Sequence, residues 1–377
     1  MIPIEAAVAR QCSKPVNIHI DKIRIQAPCY HKPTGRLAYF DEDALGMVPV
    51  AASPNQKALK DGGKRAYIHS KDVNGRTGMA NMIEIHCCPP LVLQRHNVFG
   101  HQNLQTYAYN VLDLATARLG IDVREEDRDE WRRGAMGLTE IHLTGNFGCP
   151  HSAIVPVIQA VDDNNFAGKK RQLPTWITLD NGTEKNSTFY ALTIYGKHAE
   201  LKNKAAFRSP GPVRKKLLAE TYNAIRAEVK IRSDGLKHMD LAYVSRWKNV
   251  DVSALFFDIF SNYNVAYAVQ RLLTEDELQC LTRAERKAYT LWLLGIDIED
   301  QYARTGAWSM TKRIYEKTGI WVKSKKRPVA MPDLDLRDVF SPDNVLPVPD
   351  WLLSTEFYSK SRGYGIGAVP VDWSDID

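Results

Sequence analysis

Apolar and polar residues alternate with period two through several short stretches of the first half of the chain. "VNIHIDKIRIQ" (16–26), "RLAYFD" (36–41) and "NMIEIHCC" (81–88) read as strands separated by Gly, Asn and Asp. The period then changes. In "NLQTYAYNVLDLATARLGI" (103–121), Leu104, Ala108, Val111, Leu112, Ala115 and Leu119 recur at three- and four-residue steps, which predicts a long helix stopped by Gly120. "TEIHLTGNF" (139–147) returns to strand, followed by a helix near 152–161 and the strands "TWITLD", "STFYALTIYG" and "IRAEVKIRS". Antiparallel-looking strands with occasional helices predict an α+β domain over residues 1–237.

Beyond residue 237 the pattern becomes helical. "TEDELQCLTRAERKAYTLWLLG" opens with Thr274 and Glu277 at capping-box spacing. "EDQYARTGAWSMTKRIYEKTGIWV" predicts two short helices, the second capped by Ser309 and ended by Gly319, an imperfect helix-turn-helix pattern within a helical unit over 238–327. From 328 to 377 Pro, Asp and Gly dominate, and a largely irregular acidic tail is expected.

The 377 residues can bury a sizeable core, and 44% apolar with 25% charged residues is ordinary for a globular protein. The most apolar stretch, "VSALFFDIFSNYNVAYAV", is broken by Asp258, Asn262 and Asn264, so neither a membrane span nor a membrane partner is expected. The first residues lack the basic start and apolar run of a secretion signal, and the six cysteines form no CxxC; a reduced, cytoplasmic protein is the simplest expectation. The net charge of +6 is unevenly spread. Residues 331–377 carry nine acidic and three basic residues, whereas 164–250 carry 17 basic and seven acidic, with clusters at 169–171, 214–216 and 323–327. That surplus fits a polyanion partner, or equally a solvated basic surface. If it binds DNA, the acidic tail repels the same ligand, and deletion from Met331 is expected to leave cleavage intact or to tighten non-specific binding.

Three strands concentrate the candidate chemistry. Side chains two apart on a strand share a face, so Glu140 and His142 lie together, a common partial ligand set for Mn²⁺, Mg²⁺ or Zn²⁺ and also an ordinary polar strand face. Glu84 and His86 repeat the same Glu-Ile-His triplet. Tyr195 and Lys197 are likewise two apart; a tyrosine attacking a phosphodiester needs a nearby cation to lower its pKa from ~10. Arg226, Glu228, Lys230 and Arg232 alternate with Ile225, Ala227, Val229 and Ile231, giving one apolar and one charged face. Walker, GxSxG and HExxH motifs are missing, which counts against an ATPase, an α/β-hydrolase and a zincin.

Together these segments resemble the gene II/X family of replication initiators from filamentous bacteriophages and related plasmids. The resemblance runs from "CCPPLVLQRHNVFGHQNLQTYAYNVLDLATARLGI" through "LTEIHLTGNFGCP", "LTIYGKHAEL" and "IRAEVKIRSDGLK" to "LLGIDIEDQYARTGAWSMTKRIYEKTGI", roughly residues 16–322. It implies a nickase that cuts one strand at a replication origin, uses a divalent metal (Mg²⁺ or Mn²⁺) and leaves a 5′-phosphotyrosine. Origin DNA, a host helicase and a host polymerase are the implied partners. By position, His142 falls where many members carry an acidic ligand, Tyr195 and Lys197 on a Tyr-x-Lys motif, Glu200 on its Glu, and Glu228 on an Arg-x-Glu strand. The expected metal set is Glu140, His142, Glu228 and Glu200; the expected catalytic set is Tyr195 and Lys197, with Tyr190 as reserve nucleophile. Arg226, Lys230, Arg232, His96, Lys312 and Arg313 are the expected DNA contacts. Two departures stand out: Cys87, Cys88 and Pro90 where the family is small and polar, and His at 142. A non-catalytic origin-binding protein and a metal-dependent nuclease using water remain the competing expectations.

Overall fold

The "IHIDKIRI" stretch contains a slip that organises the molecule. Ile18 and Ile20 are spaced by two, Ile23 and Ile25 likewise, but Ile20 and Ile23 are spaced by three, and all four isoleucines are buried. A strand can keep them on one face only by absorbing one extra residue. The pairing register shifts between Ile20 and Lys22, so a β-bulge at Asp21–Lys22 turns both polar side chains away from the core.

The computed structural model describes residues 16–33, 37–40, 47–50, 66–164, 170–173, 175–180, 189–203, 211–263, 265, 272–294, 296, 298–318, 320, 322 and 335–358. Its ten strands are β1 (His19–His31), β2 (Leu37–Phe40), β3 (Met47–Val50), β4 (Ala66–Val73), β5 (Ala80–Cys87), β6 (Gly137–Gly148), β7 (Lys170–Leu173), β8 (Trp176–Asp180), β9 (Tyr190–Gly196) and β10 (Ala224–Arg232). They form one sheet in the order β3-β2-β4-β5-β1-β6-β10-β9-β8-β7, and every neighbouring pair is antiparallel. Directly opposed residues share a face. Ile23, Ile85, Ile141, Leu143, Val229 and Ile231 therefore make a continuous apolar face, fully buried. The α+β expectation is met.

Helices cover that face. α1 (Pro89–Gln94) follows β5, and α2 (Leu104–Arg118) is capped by Asn103, whose side chain accepts from the Thr106 amide. α3 (Glu125–Arg133) brings buried Trp131 against β1, its indole donating to the Pro28 carbonyl at 2.7 Å. α4 (Ile154–Asn164) packs on β8 and β9. α5 (Lys197–Asn203) and α6 (Gly211–Glu220) lie in a separate small apolar cluster, while α7 (Ser233–His238) and α8 (Val252–Ser261) return to the main core.

Two boundaries differ from those expected. The main core extends beyond residue 237 because Val244, Trp247, Phe256 and Phe260 pack into it. The helical unit's own core starts at Leu273 and runs to Val322. It contains α9 (Glu275–Cys280), α10 (Arg283–Leu293), α11 (Ile298–Gln301) and α12 (Arg304–Thr318), with capping boxes opening α9 and α10. α12 runs through Ser309 without a break, since Ala307 and Met310 on either side of it both face the core. The acidic stretch is packed against the rest of the protein over 335–358. There α13 (Leu336–Val339) and α14 (Asp350–Leu353) bury Leu336, Val339, Phe340 and Leu352, and Val345 bridges to Phe147 of β6. The basic cluster at 323–327 lies outside the described residues.

No helix among the described residues is long and apolar enough to cross a membrane.

Candidate functional site

The face of the sheet opposite the main core is polar. The β1–β6–β10 register sets Lys22 beside His142 and His142 beside Lys230, and Arg24 beside Glu140. β9 adds Tyr195 opposite Arg226. On the other side of β1, β5 sets His86 opposite Arg24 and Glu84 opposite Gln26. Both Glu-Ile-His triplets therefore lie on one face, flanking β1.

Three of the four expected metal ligands come together. His142 pairs through Nε2 with Glu140 Oε1 at 2.9 Å and through Nδ1 with Glu228 Oε1. Lys230 Nζ reaches the same Glu140 oxygen at 3.1 Å, and His86 Nε2 stands 3.8 Å from it. Burial opposes ionisation of Glu140, yet His142 and Lys230 hold its carboxyl well below the usual range. Glu228 behaves alike: burial works against its charge, and Lys22, His142 and Arg226 outweigh it. Burial drives the His86 imidazole down to about 4, against the pull of Glu140. Glu84 of the second triplet is saturated, accepting from Arg24 at 3.0 Å and Gln26 at 2.6 Å and pairing with Lys71 at 2.9 Å. Glu200 stands apart, its Oε2 accepting from Lys197 at 2.6 Å.

The donor set fits a divalent ion in kind: ionised carboxylates and an imidazole suit Mg²⁺ or Mn²⁺. Among the described residues no three His, Cys, Asp or Glu stand in a metal-holding arrangement, because the oxygens of Glu140 and Glu228 face His142 and the lysines. Glu200 does not fit, being committed to Lys197.

The tyrosines separate by face. Tyr195 points into the polar face, 8% exposed, and its hydroxyl donates to Glu228 Oε2 at 3.4 Å. Burial pushes this phenol well above its ordinary range, and Arg226 draws it part of the way back. Tyr190 pairs with Ile231 and packs against the main core, so it belongs to the opposite face.

Lys197 does not continue the strand of Tyr195, as its spacing suggested. β9 ends at Gly196 and Lys197 begins α5, where it is fully buried, donating to Asn97 Oδ1 at 3.0 Å and to Glu200. It still lies over the Tyr195 ring at 5.8 Å. Burial, then Arg226, lowers its pKa to about 8. Arg226 is equally sealed. Its guanidinium donates to Asp21 Oδ1 at 3.0 Å and to the Asn97 carbonyl at 2.5 Å, with both partners of the ion pair buried. His96, also buried, bonds the Phe357 carbonyl at 2.7 Å. Arg226 and His96, expected as DNA contacts, and Lys197, expected beside the nucleophile, are thus all enclosed by the protein.

At the open end of the face Lys22 is 42% exposed and Lys230 27%, and Arg232 is part-exposed. Lys22 Nζ lies 3.9 Å from Glu228 Oε1 and is held charged by it. On α12 Arg313 binds Glu285 at 3.1 Å, whereas Lys312 lies on the outer surface, 3.6 Å from Glu316. Sequence reasoning passed over Lys22, Asp21 and Asn97. The isoleucine slip was the available signal for the first two. Asn97 donates to Asp21 at 2.8 Å and receives Lys197 and Arg226, so it joins three elements from a loop.

Comparison with curated proteins finds no match. The solved structure of a rolling-circle replication initiator protein from Geobacillus stearothermophilus aligns with 82% of this chain and 99% of that one, at 8% identity and a TM-score of 0.33. A family model that describes the N-terminal part of the gene II replication-associated protein matches residues 20–250. That span contains both Glu-Ile-His strands, the Tyr195-x-Lys197 segment and the Arg226-x-Glu228 strand, so the polar face just built lies within the matched residues. The chain belongs to this family of replication-associated proteins, the gene II group of phage replication initiators.

Proposed function

We propose that the chain starts rolling-circle replication by cutting one strand of origin DNA, with Tyr195 as the attacking group. One contact carries the reading: the Tyr195 hydroxyl donates to Glu228, which is tied through His142 to Glu140 at the open end of the same face. A phenol becomes a competent nucleophile as its proton leaves, and an ionised carboxylate in contact offers that proton an acceptor. The phenol oxygen bonds to phosphorus and the bond from phosphorus to the preceding nucleotide's 3′ oxygen breaks. The products are a 5′-phosphotyrosine and a 3′-hydroxyl, the leaving oxygen taking up a proton. Lys22 and Lys230, rather than buried Lys197, are the cations available to offset charge on the phosphate. Glu140, His142 and Glu228 are the residues that would hold a divalent ion, Mg²⁺ or Mn²⁺, once their carboxylates turned away from the imidazole and the lysines. Bound there, it would polarise the scissile phosphate. The 3′-hydroxyl would prime a host polymerase, behind a host helicase.

The burial of Tyr195 favours a second reading, in which water attacks the phosphate and Tyr195 only orders Glu228. Incubation with a supercoiled origin plasmid and divalent metal, followed by denaturation and peptide mapping, separates the two. Tyr195→Phe is expected to bind origin DNA yet neither nick it nor form an adduct, while Tyr190→Phe does both. Nicking without any adduct supports the water reading. Full nicking by Tyr195→Phe rules Tyr195 out as nucleophile, and binding without cleavage by the unaltered chain leaves only an origin-binding protein.

A further inference from the structure

Outside the sheet, the outer face of α12 carries a feature that packing does not account for. The helix sends Ala307, Met310 and Ile314 into the core of the helical unit. Two of its cations secure that core: Arg313 and Lys317 bind Glu285 of α10 at 3.1 and 2.7 Å. Glu285 is buried, and although burial opposes its charge, Lys317, Thr282 and Arg313 hold its carboxyl down at about 2. That leaves Trp308 and Lys312 on the outside. Trp308 is 51% exposed, and Lys312, one turn on, places its ammonium 5.6 Å from the indole centroid. Tryptophan is among the largest apolar side chains, and leaving half of it in water forgoes a contribution that burial would supply.

We infer that Trp308 and Lys312 form a docking platform for single-stranded DNA, an unpaired base stacking on the indole and Lys312 meeting the adjoining phosphate. Charge complementarity selects this occupant. α12 carries Arg304, Lys312, Arg313 and Lys317 against Glu316 alone, and the chain continues into "KSKKR" at 323–327. An indole beside a lysine is the pairing that sequence-tolerant single-strand binding uses: a π-face for the base and a cation for the backbone. The inference rests on the DNA-cutting reading above for its setting, since nicking followed by unwinding produces single strands. The platform itself lies outside the residues 20–250 that the family model matches.

The test uses the full-length protein with a fluorescein-labelled oligo-dT of about 20 nucleotides, read by anisotropy in EDTA so that no cleavage occurs. Trp308→Ala is expected to weaken binding ~tenfold or more, and Trp308→Phe much less, because phenylalanine keeps a stacking face. Lys312→Ala is expected to reduce the slope of log affinity against log salt by about 0.7. Melting temperatures should barely move, since both side chains are on the surface. In 5-fluorotryptophan-labelled protein the ¹⁹F resonance missing from Trp308→Phe should shift on adding oligonucleotide. Undiminished oligo-dT binding by Trp308→Ala, an unmoved Trp308 resonance, or a loss confined to duplex DNA would each overturn the inference. Because the assay contains neither metal nor cleavage, its outcome is independent of whether Tyr195 is the nucleophile.

Discussion

Replacing Asp21 with asparagine changes almost no volume and removes one charge from a place that water does not reach. Asp21 is 1% exposed and Arg226 fully buried. Asp21 Oδ1 alone takes Arg226 at 3.0 Å, Asn97 at 2.8 Å and the Cys88 thiol at 3.6 Å. Arg226 Nε already lacks a partner among the described residues, so little remains to absorb the stranded guanidinium charge. Breaking a buried ion pair from one side costs ~3–5 kcal/mol, far above the ~0–1 kcal/mol of a surface pair. At roughly 2 °C per kcal/mol for a domain of this size, Asp21→Asn should lower the melting temperature by about 6–10 °C. The assay is thermal unfolding followed by circular dichroism, with the double variant Asp21→Leu/Arg226→Met alongside. Apolar replacement of both partners removes the buried charges together and should recover most of the loss. A drop below about 2 °C for Asp21→Asn, or a double variant no more stable than the single, would refute the claim that this pair is dry.

Two further perturbations test the packing and the histidines. Leu352, fully buried among Val98, Phe99, Leu201 and Leu217, should cost ~2–5 kcal/mol when replaced by alanine, and truncation at Met331 should destabilise the sheet and its helices instead of leaving them intact. Unfolding in urea measures both; a truncated chain with unchanged midpoint and cleavage would contradict the packing of 335–358. Burial lowers the His96 and His101 imidazoles to about 4, and that of His19 well below its ordinary value. Each stays neutral in the fold, so its contribution is complete above the unfolded pKa of ~6.5 and is lost as pH falls from there toward 4. For His96 alone this amounts to about 2 kcal/mol by pH 5. His96→Gln should flatten the fall in melting temperature between pH 7 and 5, and an unchanged slope would count against this origin of the acid sensitivity.

What the sequence disclosed followed from periodicity. The strands holding Glu84, Glu140, Tyr195 and Glu228 were legible because alternation is a local property, and with it came the shared face of Glu140 and His142. Their union with Glu228 and His86 depends on strand order, which alternation does not encode. The burial of Lys197 and Arg226 was hidden for a different reason. Such residues are almost never enclosed unless paired, and the Asp21 partner of Arg226 lies 205 positions away. The Pro and Asp content of 335–358 masked the spaced apolar residues Leu336, Phe340 and Val345 that fasten it to the main core, and Leu352, which fastens it to the cluster of Leu201 and Leu217.

The bulge at Asp21–Lys22 makes the strand's length, and not only its composition, part of the chemistry. Delete either residue and "IHIDKIRI" becomes an uninterrupted alternation, a more regular strand by every local measure. The isoleucines would still find the core, and the first of the two register shifts between β1 and β6 would disappear. One polar position would vanish, leaving a single side chain to serve both the guanidinium of Arg226 on the sealed side and the carboxylate of Glu228 on the open side. A one-codon deletion here would therefore keep the apolar face in phase while removing a partner of Arg226 or of Glu228, whereas most single-codon losses inside a central strand throw its whole face out of phase. Loss of Asp21 would show as lowered stability, as for its asparagine variant, whereas loss of half-exposed Lys22 would show at the site and not in the melting temperature.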